Sequence, residues 1–423
     1  YDLFMLTLTG TDELDIILPT TLQETSYSAL VAEMRSESGT GIDIRSRAAA
    51  SSPWILTLTE PTFVDGVYQN NAKVKIKAKG VKNGEKAILK VTLITANGQE
   101  ISSSRVIEYH KTAEVNITTG GLEAALNGVD PEDIETLKVE GTLTADDFRY
   151  IKNNLKNALK NIDLSNTNIT EIPFKAFCDF QSLKEVVLPE SLTTINYQAF
   201  YNCPIESITI PNNVTSIEDD AFRVNDPALA KLERVIVGSG VTQLPSNCFF
   251  KQANLKSVSL PQGLKNINQN AFSGCTSLAS IELPNSLVSI GNYAFYNCGF
   301  TQITIPDKVT EIGVYAFDGC RNLTQVTLSQ SLKKLKRGAF QSSNIATIDL
   351  PETLGTIETM AFNWNSATTI IFRAKAVPNM SILDNQFGSI TDKDAIVVKV
   401  PAESVKKYKA KLGKYFNNIV AIE

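Results

Sequence analysis

The sequence has a single histidine, His110, and lacks the short motifs that usually carry catalysis or nucleotide binding. Histidine is the commonest general base near neutral pH, so one histidine leaves few routes to base-assisted nucleophilic chemistry. No P-loop, dinucleotide-binding glycine motif, HExxH, EF-hand loop or G-x-S-x-G motif is present. The acidic pairs Asp146-Asp147 and Asp219-Asp220 are neighbours in sequence, which favours helix-start or solvent roles over a converging catalytic pair. We therefore expect no enzyme, no catalytic residue, no cofactor and no metal site.

The sequence also lacks a large excess of positive or negative charge, and it lacks long apolar runs. The 40 basic and 45 acidic residues leave a net charge of −5 over 423 residues, which gives no electrostatic basis for binding nucleic acid or an anionic membrane. No stretch approaches the ~18 apolar residues that a transmembrane helix needs. The chain starts at Tyr1 and not at Met, which fits a removed signal peptide and is compatible with a lipid anchor upstream of Tyr1.

The sequence does contain an internal repeat whose landmark is an Ala-Phe pair. The pair recurs at intervals of 22 to 27 residues, and Cys248-Phe249 fills the remaining position. The alanines of the pairs are Ala176, Ala199, Ala221, Ala271, Ala294, Ala316, Ala339 and Ala361. A period of this length is typical of solenoids, in which each turn of the chain covers the next.

A constant frame surrounds each pair. A short strand reads apolar-x-x-apolar-x-apolar and is usually followed by Pro, as in residues 278–284, and a second apolar pair follows, as in 287–290. A unit of about 23 residues cannot close a core alone, so stacked turns bury each other's apolar side chains, at ~1.5–3 kcal/mol each before entropy. The frame predicts about nine turns over residues 159–375.

The six cysteines follow the same period. Cys203, Cys275, Cys298 and Cys320 each lie four residues after the repeat alanine. The sequence has no CxxC pair, so the spacing does not resemble a zinc or redox site. A buried thiol packs as a small hydrophobe, and stacked parallel side chains rarely meet disulfide geometry. We expect free thiols, with oxidation between adjacent turns as the alternative.

The frame resembles the BspA-like leucine-rich repeats of bacterial surface proteins, especially those of Bacteroidetes. The segment LPNSLVSIGNYAFYNCGFTQITIPDKVTEIGVYAFDGC, which ends at Cys320, carries the resemblance most clearly. Gly238 and Ser329 depart from it where Pro is usual, and Cys248 replaces Ala. The resemblance implies a right-handed leucine-rich-repeat solenoid in a secreted or outer-surface protein that takes part in adhesion. It provides no catalytic residues.

The N-terminal segment, residues 1–112, has no repeat and alternates in the manner of short strands. The strands are predicted at 3–8, 14–18, 28–34, 42–45, 54–58, 73–77, 87–94 and 105–109. This pattern predicts an immunoglobulin-like β-sandwich. Residues 52–63 and 73–80 are similar to BACON-type domains, for which a carbohydrate-binding role has been suggested. A stalk or spacer is the alternative.

Two further segments are predicted to cap the solenoid. Together with the sandwich and the solenoid they give a β-rich chain of the α+β class. Residues 113–158 form the N-terminal cap, with helical spacing at 122–126 and 148–155. Residues 376–423 form the C-terminal cap, with a strand at 395–400 and a helix opened by Ser404.

Three features are candidate binding surfaces. One column of the strand face carries short, mostly neutral polar side chains, which suits a protein partner or simply a soluble sheet: Arg234, Ser257, Ser280, Gln302, Gln325 and Thr347. A second candidate is a set of aromatic residues beside the Ala-Phe pairs, which could instead pack over neighbouring turns: Tyr201, Tyr293, Tyr296, Tyr315 and Trp364. The third is the insertion 223–234, either a binding loop or a neutral surface loop.

These observations favour a non-enzymatic secreted or cell-surface protein whose solenoid binds a macromolecule, either a host or matrix protein or a glycan. One alternative is a glycan-binding protein of a polysaccharide-capture system that acts through the N-terminal domain. Another is a structural spacer. We expect no nucleic-acid partner and no transmembrane segment in this chain.

Overall fold

The structure is a computed structural model that describes nearly all of the chain from residue 131 onward and shorter segments before it. The described residues are 5–8, 13–17, 27–36, 54–59, 63–64, 67–68, 72–78, 86–95, 100–108, 112–117, 121–127, 129, 131–363, 365–380, 387 and 394–423. The chain divides into two compact units, Tyr1–Ala113 with Asp133–Thr136, and Glu114–Glu132 with Leu137–Glu423. His110, Trp364 and the predicted strand 42–45 lie outside the described residues.

The described part of the first unit consists of antiparallel strands. They are β1 (Met5–Leu8), β2 (Glu13–Ile17), β3 (Tyr27–Ser36), β4 (Trp54–Thr59), β5 (Phe63–Val64), β6 (Val67–Tyr68), β7 (Ala72–Ala78), β8 (Lys86–Thr95) and β9 (Glu100–Glu108). One sheet has the order β1-β2-β7-β4, a second has the order β3-β8-β9, and β5 pairs with β6. The immunoglobulin-like assignment and the domain boundaries stay predictions.

The second unit is a parallel β-solenoid. Its strands are β10 (Thr112–Ile117), β11 (Thr136–Gly141), β12 (Asn161–Thr167), β13 (Glu171–Ile172), β14 (Glu185–Val187), β15 (Thr194–Ile195), β16 (Ser207–Thr209), β17 (Ser216–Ile217), β18 (Arg234–Ile236), β19 (Gln243–Leu244), β20 (Ser257–Ser259), β21 (Asn266–Ile267), β22 (Ser289–Ile290), β23 (Gln302–Thr304), β24 (Glu311–Ile312), β25 (Gln325–Thr327), β26 (Lys334–Leu335), β27 (Thr347–Leu350), β28 (Thr356–Ile357), β29 (Thr369–Phe372), β30 (Asn379–Met380), β31 (Val397–Val400) and β32 (Asn418–Ala421). A complete turn contributes a first strand, a second strand and a segment with the Ala-Phe pair.

The strands of successive turns pair in register. First strands form the sheets β10-β11-β12-β14-β16-β18-β20, β23-β25 and β27-β29-β31-β32. Second strands form the sheets β13-β15-β17 and β19-β21-β22-β24-β26-β28-β30. Because Val235 lies opposite Val258 and Ile303 opposite Val326, equivalent positions of the repeat form continuous columns.

The solenoid is longer than the repeat predicts. It has about 13 turns and not nine, because both segments predicted as caps contribute strands, β10 and β11 at one end and β30, β31 and β32 at the other. The helices are short: α1 (Leu122–Ala125), α2 (Ala145–Tyr150) and α3 (Val405–Leu412), with a π-helical turn at Ile151–Leu155 and 3-10 turns at Pro131–Asp133, Pro227–Leu229 and Ala402–Ser404.

The acidic pairs have structural roles. Asp147 is buried and accepts hydrogen bonds from the backbone N–H groups of Leu122 at 2.6 Å and Thr144 at 2.7 Å, within a capping box at the start of α2. Asp220 accepts a hydrogen bond from Arg223 at 3.1 Å. The predicted helix-start role is confirmed for Asp147.

A continuous stack of phenylalanine rings lies at the centre of the solenoid. Neighbouring ring centroids are 5.1 to 5.8 Å apart and the rings lie within 19° of parallel. The stacked rings are Phe177, Phe200, Phe222, Phe249, Phe272, Phe295, Phe317, Phe340, Phe362 and Phe387. For Phe177 to Phe340, the backbone N–H donates to the carbonyl of the residue before the next ring, at 2.8 to 3.0 Å. The prediction that these rings fill the interior is confirmed.

The residue before each repeat alanine adopts a left-handed backbone conformation. Its φ lies between 53° and 64° in all nine turns that carry the Ala-Phe or Cys-Phe pair, as at Tyr293, Tyr315 and Gly338. For a residue with a side chain this conformation costs ~1 kcal/mol or more. The N–H of Tyr293 donates to Val314 O at 2.9 Å and that of Tyr315 to Arg337 O at 2.8 Å. The ladder between turns offsets the strain at these positions.

The cysteines are buried and free. The Sγ–H groups of Cys203, Cys275, Cys298 and Cys320 donate to the carbonyl of the stacked phenylalanine in the preceding turn, at 2.9 to 3.3 Å. A thiol at this position therefore fills space and also gives a second hydrogen bond to a carbonyl that already accepts a backbone N–H.

We expect Phe295→Ala to lower the free energy of unfolding by roughly 3–5 kcal/mol, since it removes a fully buried ring from the middle of the stack. Urea unfolding followed by circular dichroism measures the change. Phe174→Ala is the matched control, because this ring is 62% exposed and its loss should stay within ~1 kcal/mol. Equal losses for the two variants would contradict the assignment of the stack as the core.

We expect the native thiols to react slowly with a disulfide reagent at pH 8 and all six to react after denaturation. Burial raises the pKa of Cys320 to about 12, and burial with a hydrogen bond to Asp179 raises the pKa of Cys178 to about 11. The thiolate is the reacting form, so the rate at Cys178 should rise roughly tenfold per pH unit up to its pKa. Cys178 should be the first native thiol to react as the pH rises, and Cys178→Ser should remove that reaction. Rapid reaction of several native thiols at pH 8 would show that the cysteines are accessible to solvent.

Candidate functional site

The predicted strand-face column exists as a surface feature. Arg234 lies opposite Ser257 and Gln302 opposite Gln325 in parallel register. The side chains of the whole column are exposed: Arg234, Ser257, Ser280, Gln302, Gln325 and Thr347. The column is flat, polar and without an aromatic ring, and its role in binding stays a prediction.

Three of the predicted aromatic residues come together on another side of the solenoid. The rings of Tyr293 and Tyr315 are stacked, with centroids 5.3 Å apart, and Tyr296 meets Tyr293 edge to face at 5.9 Å. Tyr201 does not join them, because its hydroxyl accepts a hydrogen bond from Asn225 in the insertion. Trp364 lies outside the described residues.

The three rings line a cleft of about 820 Å³, called here the tyrosine cleft. Its lining residues are Pro227, Phe250, Lys251, Ala253, Gln269, Asn270, Ser273, Gly274, Tyr293, Tyr296, Asn297, Tyr315, Asp318 and Gln341. Pro227 belongs to the insertion 223–234. The aromatic residues and the insertion, which are separate candidates in the sequence, thus meet at one site.

Tyr315 is held in place by the next turn. Gly338 has a φ of +64°, and a Cβ on it would lie 2.2 Å from two carbons of the Tyr315 ring. The Arg337 guanidinium lies 5.4 Å from the centroid of the same ring. A side chain at position 338 would displace the ring, so the glycine is required for the tyrosine stack.

The insertion has a defined conformation. Asp226 caps the 3-10 turn Pro227–Leu229 by accepting a hydrogen bond from Ala228 N at 2.9 Å. Its neighbour Asn225 donates to the Tyr201 hydroxyl, and Arg223 lies 4.6 Å from the centroid of Phe250. The insertion therefore forms an anchored wall of the tyrosine cleft.

The cleft offers polar groups that the protein itself does not use. In the part of the chain that the structure describes, the side-chain amides of Gln269, Asn270 and Asn297 make no hydrogen bond. The Oε1 atom of Gln341 is buried without a partner. Burial raises the pKa of Asp318 above its ordinary value, although hydrogen bonds from Ser342 and the Gly319 backbone oppose the shift. A buried acceptor without a partner costs ~1–3 kcal/mol unless water or a ligand donates to it.

This arrangement is suited to binding. Among the described residues, no group of three or more His, Cys, Asp or Glu side chains is placed to hold a metal ion. No helix within the described segments combines the length and apolarity needed to cross a membrane. Half-exposed rings with unpaired amides are the usual lining of recognition sites.

The sequence shows the tyrosines but not the polar part of the site. Asn270, Asn297 and Gly274 occupy left-handed positions of the repeat, where Asn and Gly are common for backbone reasons alone. Their place in one cleft depends on the stacking of separate turns. Aligning residues at the same offset from successive Ala-Phe pairs would show which residues of neighbouring turns lie side by side.

Comparison with known proteins identifies the repeat. The profile of the BspA type leucine rich repeat region matches residues 150–251 and 242–369 in six copies, just over half of the chain. No curated protein matches the sequence.

Several solved structures are similar to the chain. A leucine-rich repeat protein from Bacteroides ovatus is 22% identical, over 78% of this chain and 97% of its own, with a TM-score of 0.41. The pneumococcal vaccine antigen PcpA is 18% identical, over 78% of this chain and 82% of its own, with a TM-score of 0.37. A leucine rich cell surface protein from Faecalibacterium prausnitzii is 17% identical, over 74% of this chain and 92% of its own, with a TM-score of 0.32.

We expect Gly338→Ala to displace the Tyr315 ring and to lower the free energy of unfolding by roughly 1–3 kcal/mol, from left-handed strain and steric overlap. Near-ultraviolet circular dichroism and urea unfolding measure the two effects. Gly355→Ala is the control, since a Cβ there would meet nothing closer than 3.8 Å. Unchanged tyrosine signals in Gly338→Ala would mean that the ring does not depend on this glycine.

Proposed function

The chain belongs to the family of BspA-type leucine-rich repeat proteins, and from that premise we propose that it is a non-enzymatic binding protein of the bacterial cell surface. In this proposal the solenoid holds a macromolecular partner, either a host or matrix protein or a glycan. Extracellular location is part of the proposal.

The observation that carries the proposal is the tyrosine cleft. It combines an aromatic cluster, Tyr293, Tyr296 and Tyr315, with unpaired amides and small residues. Tyrosine supplies large contact area at low conformational cost, and Asn, Ser and Gly supply adaptable hydrogen bonding, as in antibody binding sites. A turn that only faces solvent does not require a cluster of partly exposed tyrosines.

Preorganisation supports the same conclusion. Binding usually costs ~0.5–1.5 kcal/mol for each flexible side chain that becomes fixed. Tyr315 is already held by Tyr293, Gly338 and Arg337, and the insertion wall is anchored through Asn225. A partner that enters the cleft would therefore order few additional side chains. The strand-face column lacks such rings, and its short polar side chains are compatible with a simple soluble surface.

Binding of the full chain should be tested on an array of immobilised glycans and on purified extracellular-matrix proteins. We expect at least one of these probes to retain the chain, and the double variant Tyr293→Ala/Tyr296→Ala to bind it roughly 30-fold more weakly, as for a hot spot of about 2 kcal/mol. Surface plasmon resonance gives the dissociation constants.

Tyr415→Ala is the matched control, because Tyr415 is half-buried and lies outside the cleft. It should bind like the unaltered chain. Lack of retention on every probe would oppose the binding role. Retention that is indifferent to the double variant would instead place binding on the strand face or on the N-terminal unit.

A further inference from the structure

Building on the proposed binding function, we propose that the tyrosine cleft holds an uncharged segment of a glycan chain, with a sugar ring on Tyr296 and hydroxyl groups on the free amides. This assigns sugar recognition to one cleft of the solenoid, whereas the similarity to BACON-type domains suggests it for the N-terminal domain.

The orientation of Tyr296 makes it a platform. Tyr293 and Tyr315 stack along the solenoid axis, so their faces cover each other. The Tyr296 ring is rotated by 70° from the Tyr293 ring, so its plane runs roughly parallel to the solenoid axis. The residue is 40% exposed. Sugar rings present C–H groups on one face, and these carry slight positive charge that the negative face of an aromatic ring attracts.

The polar groups of the cleft match hydroxyl groups. A sugar hydroxyl both donates and accepts a hydrogen bond, and so does a side-chain amide through its NH₂ and carbonyl. The amides of Gln269, Asn270 and Asn297 are without partners among the described residues, and Gln341 Oε1 is buried without a donor. A ligand rich in hydroxyls satisfies all four groups.

The charge of the lining points to a neutral ligand. Among the lining residues, the formal charges of Lys251 and Asp318 cancel. Two further cations, Arg223 and Arg337, lie against the lining rings of Phe250 and Tyr315. Lys251 Nζ lies 5.4 Å from the Phe250 centroid and already has a cation–π partner. An acidic chain would meet the half-buried Asp318 carboxylate, while the cations nearest the cleft already lie against the rings of Phe250 and Tyr315.

The backbone of the cleft does not favour an extended peptide. Peptides that lie along a sheet gain affinity from free main-chain N–H and C=O groups. Here the N–H groups of Asn270, Gly274, Tyr293, Asn297 and Tyr315 all donate to the following turn, at 2.8 to 3.0 Å. Contacts with a ligand must therefore come from side chains. The aromatic rings and side-chain amides of the cleft are groups that bind sugars.

The length of the cleft suits an internal chain segment. The lining reaches from the turn of Phe250 to the turn of Gln341, four steps along the axis. At ~4.8 Å per step this is roughly 19 Å, enough for several linked sugars. The anchored wall around Pro227 closes one side, so branches on the glycan would be excluded there.

Native gel electrophoresis of the full chain in gels that contain linear β-mannan, xylan free of uronic acid, or laminarin tests the proposal, with polygalacturonate as the charged comparison. We expect at least one neutral polysaccharide to retard the chain, and polygalacturonate not to. Tyr296→Ala and Asn297→Ala should each weaken binding at least about tenfold, since each removes a direct contact. Tyr415→Ala should leave it unchanged, and circular dichroism checks that each variant is folded.

Absence of retardation by all three neutral polysaccharides would overturn the glycan assignment, as would equal retardation by polygalacturonate. Retardation that survives Tyr296→Ala and Asn297→Ala would also overturn it, since the sugar would then be bound elsewhere. If matrix proteins are retained through Tyr293 and Tyr296 while no polysaccharide binds, the glycan assignment is wrong and the proposed binding function stands.

Discussion

The register between successive turns is the constraint on which the solenoid depends. The stacked phenylalanine rings set it from the inside, and the backbone N–H groups of Phe177 to Phe340 fix it by donating to the next turn. A ring can pack on the next ring only if the two turns are in step, so burial and hydrogen bonding select the same alignment. The thiols of Cys275, Cys298 and Cys320 reinforce it by donating to phenylalanine carbonyls one turn back.

This constraint leaves the outer columns free to vary. A turn needs its Phe and its two apolar strand positions, whereas the left-handed residue before each alanine can be Lys, Gln, Asp, Asn, Tyr, Gly or Met. From Lys175 to Gly338, the backbone N–H at that position donates to the next turn whatever the side chain, so the side chain is free to vary for function. Tyr293 and Tyr315 occupy it in adjacent turns, and Asn270 occupies it one turn earlier.

Much of the fold can be predicted from the sequence because the same pattern of apolar residues recurs in every turn. The Ala-Phe spacing predicts the buried rings, the columns and the packed thiols. It underestimates the number of turns, because β11 and β31 stack in the same way but their turns have no Ala-Phe pair to mark them. The site is less predictable: Asn297 and Gly338 are accounted for equally well by turn geometry, and only the alignment of turns shows that they serve the tyrosines.

Departure from the repeat distinguishes the tyrosine cleft from the rest of the surface. In a solenoid equivalent positions face equivalent surroundings, so a site needs turns that differ from their neighbours. Three differences occur together here: tyrosines at the left-handed position of two adjacent turns, a glycine against the Tyr315 ring, and the insertion that supplies Pro227. Each has a modest cost for the fold, as strain, lost backbone restraint or loop entropy. Stability alone does not require them to coincide, whereas a binding site does, because it needs a platform, a support for that platform and a wall.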